Sequence, residues 1–561
     1  MTSKKSNKSL SRRDWFSRAA APALAAPLVY PFLVSAAPGA VEQANAKLAI
    51  FDVRDFGAVG DGVKVNTAAV QAAIDAANTA QGGTVLIPSG TFVCGTIELK
   101  SNVNFHLATN ARLLGSPNRE DYRAGNNIPS GNGNIVFISA ADAENITISG
   151  NGTIDGNGLA FFTGIGDNMG PGGNTAEGYF DRPHMLIFLR CKNLRVQDVY
   201  LYASAYHCMR ILTCEYVYFE RIRINNRVNF NNDGFHFNNS RYVHVDACDV
   251  RCQDDACALF GSNKFVTVSN SSFSTRWGIF RFGGGSSEYI TVTNCTIYET
   301  FGCVIKMGAG RNSRHENMIF SNLIFRDVTG PISIGLSDQR RTPRPGQESQ
   351  PSEVGVVRNI VFSNIRGNVL ASPRRHEDIV FDQKYRPGEM RTCITLNSFG
   401  ESYLENITLS NIHLTFEGGG VAEEAQLRDV PQVAGEYFEI GARPAHGVYA
   451  RNVRGLTLDN VRIETTNPDL RPAVVLDNVA DASISNVTTQ GNPAGPSVLR
   501  CINTTDTLIA SPRLLTPAAV YMAVEGERSA DITLDGGDIR RAKKDVTFER
   551  GATAKAARIR S

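Results

Sequence analysis

Three aspartates, spaced by about one structural repeat, are the residues of this chain best suited to chemistry. Asp233 lies between Asn232 and Gly234, and the pair Asp254-Asp255 begins 21 residues later. If the chain coils with a period in the low twenties, these carboxylates lie beside each other at about the spacing of neighbouring strands. Crowded carboxylates repel, so one of them tends to hold its proton. A protonated acid beside an ionised base is what hydrolysis of a glycosidic bond requires.

Two other interpretations of the aspartates are open. A single Asp often caps a turn, and clustered carboxylates can hold Ca²⁺. Three aspartates on adjacent coils favour acid–base chemistry over both. We therefore expect no metal and no cofactor.

A short pattern recurs along the chain and predicts the coils that bring the aspartates together. It consists of a polar residue, any residue, and three strand residues whose outer positions are apolar, as in Glu144-Asn145-Ile146-Thr147-Ile148. Further copies begin at Lys192, Glu215, Arg241, Lys264, Glu288, Glu316, Arg358, Glu405, Arg454 and Ala530. A period in the low twenties with short alternating strands indicates stacked coils rather than a propeller or a sandwich. The sequence predicts an all-β, right-handed parallel β-helix.

A solenoid has open ends that need covering. The segment 66–79 has the apolar spacing of an amphipathic helix, with Val70 and Ile74 on one face, Asn66 or Thr67 as its N-cap, and glycines after its end. We expect it to cap the N-terminal end of the β-helix. Residues 47–545 are predicted to form a single catalytic domain, followed by a loose basic tail over 546–561.

Residues 1–46 have the layout of an export signal. Basic residues come first, an apolar run rich in Ala, Pro and Leu follows, and Ala44-Asn45-Ala46 offers a cleavage site. The Arg12-Arg13 pair resembles a twin-arginine signal. An uncleaved anchor is the alternative, but prolines interrupt the short run. We expect an exported protein, periplasmic or secreted, with no membrane span in the mature chain.

The composition argues against nucleic acid and zinc as binding partners. The net charge of +2 argues against a nucleic-acid-binding surface. Eleven cysteines without a CxxC pair argue against a zinc site; most are interpreted as buried thiols, with one or two disulfides left open. A capped β-helix needs no partner chain, so a monomer is expected.

The aspartate motifs resemble those of the polygalacturonase-type glycoside hydrolases of family 28. Asn231-Asn232-Asp233-Gly234 is similar to the family's N-T-D-G motif, Asp254-Asp255 to its D-D motif, and Val304-Ile305-Lys306 in part to its R-I-K motif. The resemblance spans roughly residues 50–480. It implies an inverting hydrolase of a pectin-like, galacturonate-containing polysaccharide or oligosaccharide. In this family Asp254 would be the general acid, and Asp233 and Asp255 would hold and activate the water.

Two departures from the family bear on the substrate. Trp277 stands where the family has the histidine of a G-H-G motif, and Val304 replaces the arginine that would hold a uronate carboxylate. Trp277 could form the floor of a sugar subsite, desolvate Asp254, or belong to the core. An arginine restored at position 304 is expected to be neutral or helpful on an ordinary galacturonan.

Strand alternation places further polar side chains on the groove side. His236 and Arg281 each lie between two phenylalanines that would point inward. Lys306 belongs to the matched part of the R-I-K motif, and Arg210 lies in the coil before Asp233. We expect these four residues and Trp277 to contact the substrate, with His207 as a further candidate.

Two alternative functions are compatible with a β-helix of this kind. A polysaccharide lyase would use Ca²⁺ and a basic residue and would release unsaturated products. A non-catalytic glycan-binding solenoid would tolerate loss of any one Asp. The pair Asp254-Asp255 following Asp233 by one coil favours hydrolysis over both.

Overall fold

The chain folds into a solenoid of parallel strands. The computed structural model describes residues 49–129, 134–161, 181–338, 353–379, 383–400, 402–432 and 436–560. The strands pair in three rows along the solenoid, called rows A, B and C. Pairing is parallel except between Arg123–Ala124 and Ile135–Ala141. The predicted parallel β-helix is confirmed, whereas the predicted export signal lies outside the described residues.

Row A begins the repeat in each coil. It contains Ile50–Asp52, Gly83–Ile87, Val103–Leu107, Glu144–Gly150, Lys192–Gln197, Glu215–Glu220, Arg241–Asp246, Asn263–Ser269, Ser286–Ala309, Arg314–Leu336, Val356–Val369, Leu404–Phe416, Val453–Thr465, Ala480–Ser485, Thr505–Ala510, Ala530–Asp535 and Ala557–Arg560. Five of these strands, from Ser286–Ala309 to Val453–Thr465, continue into row B. The remaining strands of row B are Asp61–Val65, Gly90–Cys94, Ala111–Gly115, Thr153–Asp155, Tyr200–Tyr202, Arg223–Asn226, Asp249–Cys252, Ser272–Thr275, Thr488–Thr489 and Arg513–Leu514.

Row C carries the aspartate motifs at its N-terminal edge. It contains Ile97–Glu98, Ile135–Ala141, His184–Leu189, Met209–Leu212, Phe235–Asn238, Cys257–Phe260, Gly278–Gly283, the ends of Ser286–Ala309 and Arg314–Leu336, Ile394–Asn397, Val448–Arg451, Val474–Asp477, Leu499–Ile502, Ala518–Glu525 and Ala542–Glu549. Among the described residues, the α-helices are Thr67–Thr79 and Ala422–Ala425, and the 3₁₀ turns are Val53–Phe56, Arg119–Asp121, Gly158–Phe161, Pro387–Glu389 and Ala554–Ala556. None of the helices described is long and apolar enough to cross a membrane.

The repeat pattern predicted the register of row A. Lys192 pairs with Glu144 on one side and with Glu215 on the other, and the same alignment continues through the predicted copies to Ala530. Between Glu144 and Ala530 two coils, which begin at Ala480 and Thr505, were missed. Small residues, Ala482 and Thr507, take inward positions there, so the apolar signal is weak.

The predicted N-terminal segment is helical over Thr67–Thr79, and its buried face includes Val70 and Ile74. Asn66 holds the N-cap position, but its side chain makes no bond to the helix. Its amide instead pairs with the backbone of Val59 and Lys64. The helix ends at Ala80, before the glycines. Its function as a cap remains a prediction.

Two sequence predictions about the chain are corrected. Residues 546–560 are not a loose tail, because Ala542–Glu549 and Ala557–Arg560 pair with the preceding strands of rows C and A; the coil therefore continues past residue 545. No disulfide forms, because all eleven cysteines are buried and unpaired. Their side chains fill inward positions of the coils, where a thiol packs as a small apolar group.

Asparagines form ladders at the corners between rows A and B. Asn364 donates to Asn322 Oδ1 at 3.0 Å and accepts from Asn411 Nδ2, and the ladder extends to neighbours on both sides. Each of these asparagines has a left-handed backbone, with φ of 55° at Asn364. Asn tolerates this conformation better than other residues with a Cβ, and the stacked amides link successive coils.

Candidate active site

The coil register brings the three aspartates together. Phe235 pairs with Cys257 in row C, so Asp233 and Asp255, each two residues earlier, take equivalent positions on adjacent coils. A backbone bond of 3.0 Å from Gly234 N to Asp255 O links the two turns. Asp254 lies beside them, with its Oδ2 bonded to Asn231 Nδ2 at 3.2 Å. The predicted cluster therefore forms at one edge of row C.

The aspartates differ in exposure, and burial together with neighbouring negative charge raises the pKa of two of them. Asp233 and Asp255 are 5% and 7% exposed, whereas Asp254 is more open. Burial, with the charges of Asp233 and Asp255, raises the pKa of Asp254 well above its usual range. Burial and the charge of Asp255 also raise the pKa of Asp233. Crowding and burial thus favour the protonated form of a carboxyl group in this cluster.

Histidines surround Asp233. His236 Nδ1 lies 2.9 Å from Asp233 Oδ2, and His207 Nε2 lies 3.7 Å from Asp233 Oδ1. The two imidazole rings stack, with centroids 4.9 Å apart. Burial lowers the pKa of His236 to about 4 and the pKa of His207 well below its ordinary value. Neutral imidazoles therefore flank the side chain of Asp233, and His236 can orient it by a hydrogen bond.

Sequence reasoning missed a third histidine of this group. His184 takes the position of His207 one coil earlier, and their ring centroids lie 4.9 Å apart. The sequence signal was present, because residues 184, 207, 233 and 255 follow each other at about one repeat. His207, Asp233 and His236 each bring one ligand atom within 4.8 Å of the others, a spacing that a metal ion could use.

A row of outward side chains forms the floor beside the aspartates. The register aligns Arg210 with His236, and Arg281 with Lys306. His236 and Arg281 are partly exposed, as strand alternation predicted. Arg210 Nη1 donates to Asn134 Oδ1 at 2.6 Å. These residues are brought to the cluster as expected, although their contacts with a substrate remain a prediction.

Lys306 is buried between two carboxylates. Its Nζ lies 3.2 Å from Asp255 Oδ1 and 3.0 Å from Glu436 Oε2. Glu436 also pairs with Arg281 at 3.2 Å. Burial would raise the pKa of Glu436, but Arg281 and Lys306 outweigh it and lower the pKa to about 2. Glu436 belongs to a long insertion between coils, and no sequence signal pointed to it.

Trp277 is covered and offers no face to a sugar. It is 4% exposed, and its ring packs against Lys306 Nζ at 5.0 Å and Phe438 at 5.7 Å between centroids. The predicted direct contact with substrate is therefore corrected. Trp277 packs beside the ammonium group of Lys306, which is itself 1% exposed.

Two inserted segments, residues 383–390 and 436–443, form a wall beside Trp277. Arg276 joins them to the coil through a fully buried ion pair with Glu389, 3.0 Å long. Arg443 binds the two segments together through the carbonyls of Gly388 and Tyr437. Glu436, Tyr437 and Ile440 line a cleft with Ser333 and Thr395, the next floor positions after Lys306. The floor is therefore covered on this side.

Val304 lies in the core. It is completely buried among apolar side chains. An arginine at this position would have to enter the core, which is costly for a charge. The expectation that an arginine restored at position 304 would be neutral or helpful is replaced by one of disrupted packing.

The assembled groups fit acid–base hydrolysis. Asp254 is a partly open carboxyl group with a raised pKa. It lies beside buried Asp233, whose pKa is also raised and which is flanked by imidazoles, and beside buried Asp255, which is flanked by an ammonium group. Proton donation from the first and activation of water by the others are the two tasks that inversion at a sugar carbon divides between carboxyl groups.

The sequence profile of glycosyl hydrolases family 28 matches residues 78–382. An exo-poly-α-D-galacturonosidase from Dickeya chrysanthemi is 30% identical over 433 residues, which cover 65% of this chain and 71% of that protein. Polygalacturonase-2 from Solanum lycopersicum is 28% identical over 196 residues, 33% of this chain and 42% of the relative's own length. The hyperthermoactive exopolygalacturonase from Thermotoga maritima has the same fold, with a TM-score of 0.54 and 18% identity over 74% of this chain and 92% of that one.

Proposed function

Because this chain belongs to glycosyl hydrolases family 28, we propose that it hydrolyses a pectin-like, galacturonate-containing chain from one end with inversion. Asp254 is the general acid, and Asp233 and Asp255 position and activate the water. The observation that carries this proposal is the cluster of three carboxyl groups, in which the most open member has a raised pKa. The membership makes a hydrolase the function, rather than the lyase or the binding solenoid considered from sequence.

The proposed roles follow from the surroundings of each carboxyl group. Asp254 is the partly open member and can reach a leaving-group oxygen while it holds a proton. His236 Nδ1 lies 2.9 Å from Asp233 Oδ2, and Lys306 Nζ lies 3.2 Å from Asp255 Oδ1. These partners fix the two buried side chains on the water side. His236, Arg210 and Arg281 are proposed to contact the sugar. The contact expected of Lys306 is replaced by a role through Asp255, because Lys306 is 1% exposed.

Attack from a chain end is supported by the wall. Glu436 and Tyr437 cover the floor directly after Lys306, so a long polymer meets an obstacle on this side of the aspartates. The relatives from Dickeya chrysanthemi and Thermotoga maritima carry exo-acting names.

The test of the acid assignment is Asp254→Asn. We expect about a 10²–10⁴-fold loss of kcat on polygalacturonate, the usual contribution of a general acid, with an unchanged melting temperature. Reducing ends and ultraviolet absorbance are followed together, and the anomer released first is identified by proton NMR. Asp249→Asn, in row B and away from the cluster, is the matched control. Full activity of Asp254→Asn would reject the assignment.

The mode of attack is tested by product analysis of the wild-type protein. Exo attack releases short galacturonides from the first minutes while the viscosity of the polymer changes little. An early collapse of viscosity would reject the proposed blockage by the wall and leave the acid assignment intact.

We also propose that the protein is exported and monomeric. Support for export comes from the basic, apolar and small-residue order of residues 1–46. N-terminal sequencing of protein recovered outside the cytoplasm tests it, with a new terminus after Ala46 expected. Sedimentation at two concentrations tests the monomer.

A further inference from the structure

A second pocket lies on the same edge of row C, far from the aspartates. It has a volume of about 320 Å³, within the lower range of ligand pockets, roughly 300–1,000 Å³. Its rim is formed by exposed residues that include Thr466, Asn467 and Pro493. Its buried floor includes His446 and Ser497, which are 4% and 7% exposed.

The register relates this floor to the candidate active site. His446 lies two residues before Val448, and Ser497 two before Leu499, the position that Asp255 has before Cys257. Five strand pairings separate the coil of Asp255 from that of His446. At about 4.8 Å for each step, the two sites are about 24 Å apart. The wall lies between them, so the pocket is a separate site.

Two buried polar atoms of the floor lack a partner among the described residues. They are His446 Nε2 and Ser497 Oγ. His446 Nδ1 lies 2.9 Å from Arg471 O, which can only accept, so this nitrogen carries the proton. Burial lowers the pKa of His446 to about 4. Nε2 is therefore a lone-pair acceptor, and Ser497 can both donate and accept.

The charged groups of the pocket are already engaged. Arg471 donates to both oxygens of Asp469 and to Arg391 O. Asp469 also accepts from Gly420 N at 2.9 Å. Arg471 is the only Arg or Lys side chain among the described residues that line the pocket. No cation is left to bind a carboxylate, so an acidic sugar has no counter-charge here.

From these observations we propose that the pocket formed by His446, Ser497 and their rim is a binding site for one neutral sugar residue. A hydroxyl of the ligand donates to His446 Nε2, and another accepts from or donates to Ser497 Oγ. Leaving these two buried groups unpaired is costly, and a polyhydroxylated ligand satisfies both. The proposal does not depend on the hydrolase assignment.

Titration calorimetry of the full chain with arabinose, galactose, rhamnose and xylose, each compared with galacturonate, tests the site. We expect at least one neutral sugar to bind in the millimolar range and more tightly than galacturonate. Ser497→Leu, which fills the floor, should weaken that binding about tenfold or more. Ser483→Leu, at an exposed position of a nearby strand, should leave it unchanged.

Ser497→Ala tests the same site in case the leucine variant does not fold. It removes only the hydroxyl, and a melting temperature near that of the wild type together with weaker binding supports the site. Crystals soaked in the bound sugar should place it on His446. Absence of neutral-sugar binding, unchanged binding in both Ser497 variants, or density for water alone in the pocket would each overturn the proposal.

Discussion

Replacing Glu436 with glutamine removes the negative charge that Lys306 and Arg281 share. The pKa of Glu436 falls from its ordinary 4.5 to about 2 in the folded protein. A difference of about 2.5 corresponds to about 3 kcal/mol of folding stability at neutral pH. Because the folded-state pKa is depressed, this contribution is complete above about pH 4.5 and disappears as the pH falls towards 2.

The expected change in melting temperature follows from chain size. An unfolding entropy of about 2.1 cal/mol/K per residue gives about 1 kcal/mol/K for roughly 500 residues. Glu436→Gln should therefore melt about 3 °C below the wild type at pH 7. At pH 3 the difference in stability should shrink to about 1 kcal/mol, or about 1 °C.

Differential scanning calorimetry of both proteins at pH 7 and pH 3 measures this effect. Glu423→Gln, which alters an exposed residue, controls for loss of a surface charge. Equal melting temperatures at pH 7, or a difference that does not shrink at pH 3, would refute the assignment of net stabilisation to the buried cluster of Lys306, Arg281 and Glu436.

Substitutions at three further positions test the wall, the core and the asparagine ladder. Glu389→Ala leaves the buried Arg276 guanidinium without its carboxylate and should cost about 3–5 kcal/mol in urea unfolding; a loss below about 1 kcal/mol would contradict this. Val304→Arg should abolish soluble expression, and a soluble active variant would show that position 304 can turn outward. Asn364→Ala should cost about 1–2 kcal/mol through its left-handed backbone. Asn364→Gly should recover the backbone part of that loss, and equal stability of the two variants would assign the loss to the amide ladder alone.

The repeat made the fold and the aspartate cluster predictable from sequence. One polar residue and alternating apolar residues fix a coil, so the interval from Asp233 to Asp254 translates directly into adjacency. The same rule placed His236 and Arg281 on the floor. It could have found His184, had the spacing been followed one coil further back.

Contacts made by insertions could not be predicted in this way. Glu436 reaches Lys306 from a segment that follows no repeat, 130 residues later in the chain. The sequence also contained no sign that Trp277 is covered, because Phe438, which packs against its ring, belongs to the same insertion. The periodic rule applies only to residues whose neighbours are set by the coil. Val304 shows a further limit, because it is fully buried although it lies two residues before Lys306 in the same strand.

The eleven buried thiols have a consequence for where this protein can mature. No covalent cross-link has to form for the coils to stack, so the folded state needs no oxidant and no disulfide isomerase. A reducing cytoplasm suits its folding as well as an oxidising compartment does. The melting temperature of the folded protein should therefore be the same with and without a reducing agent.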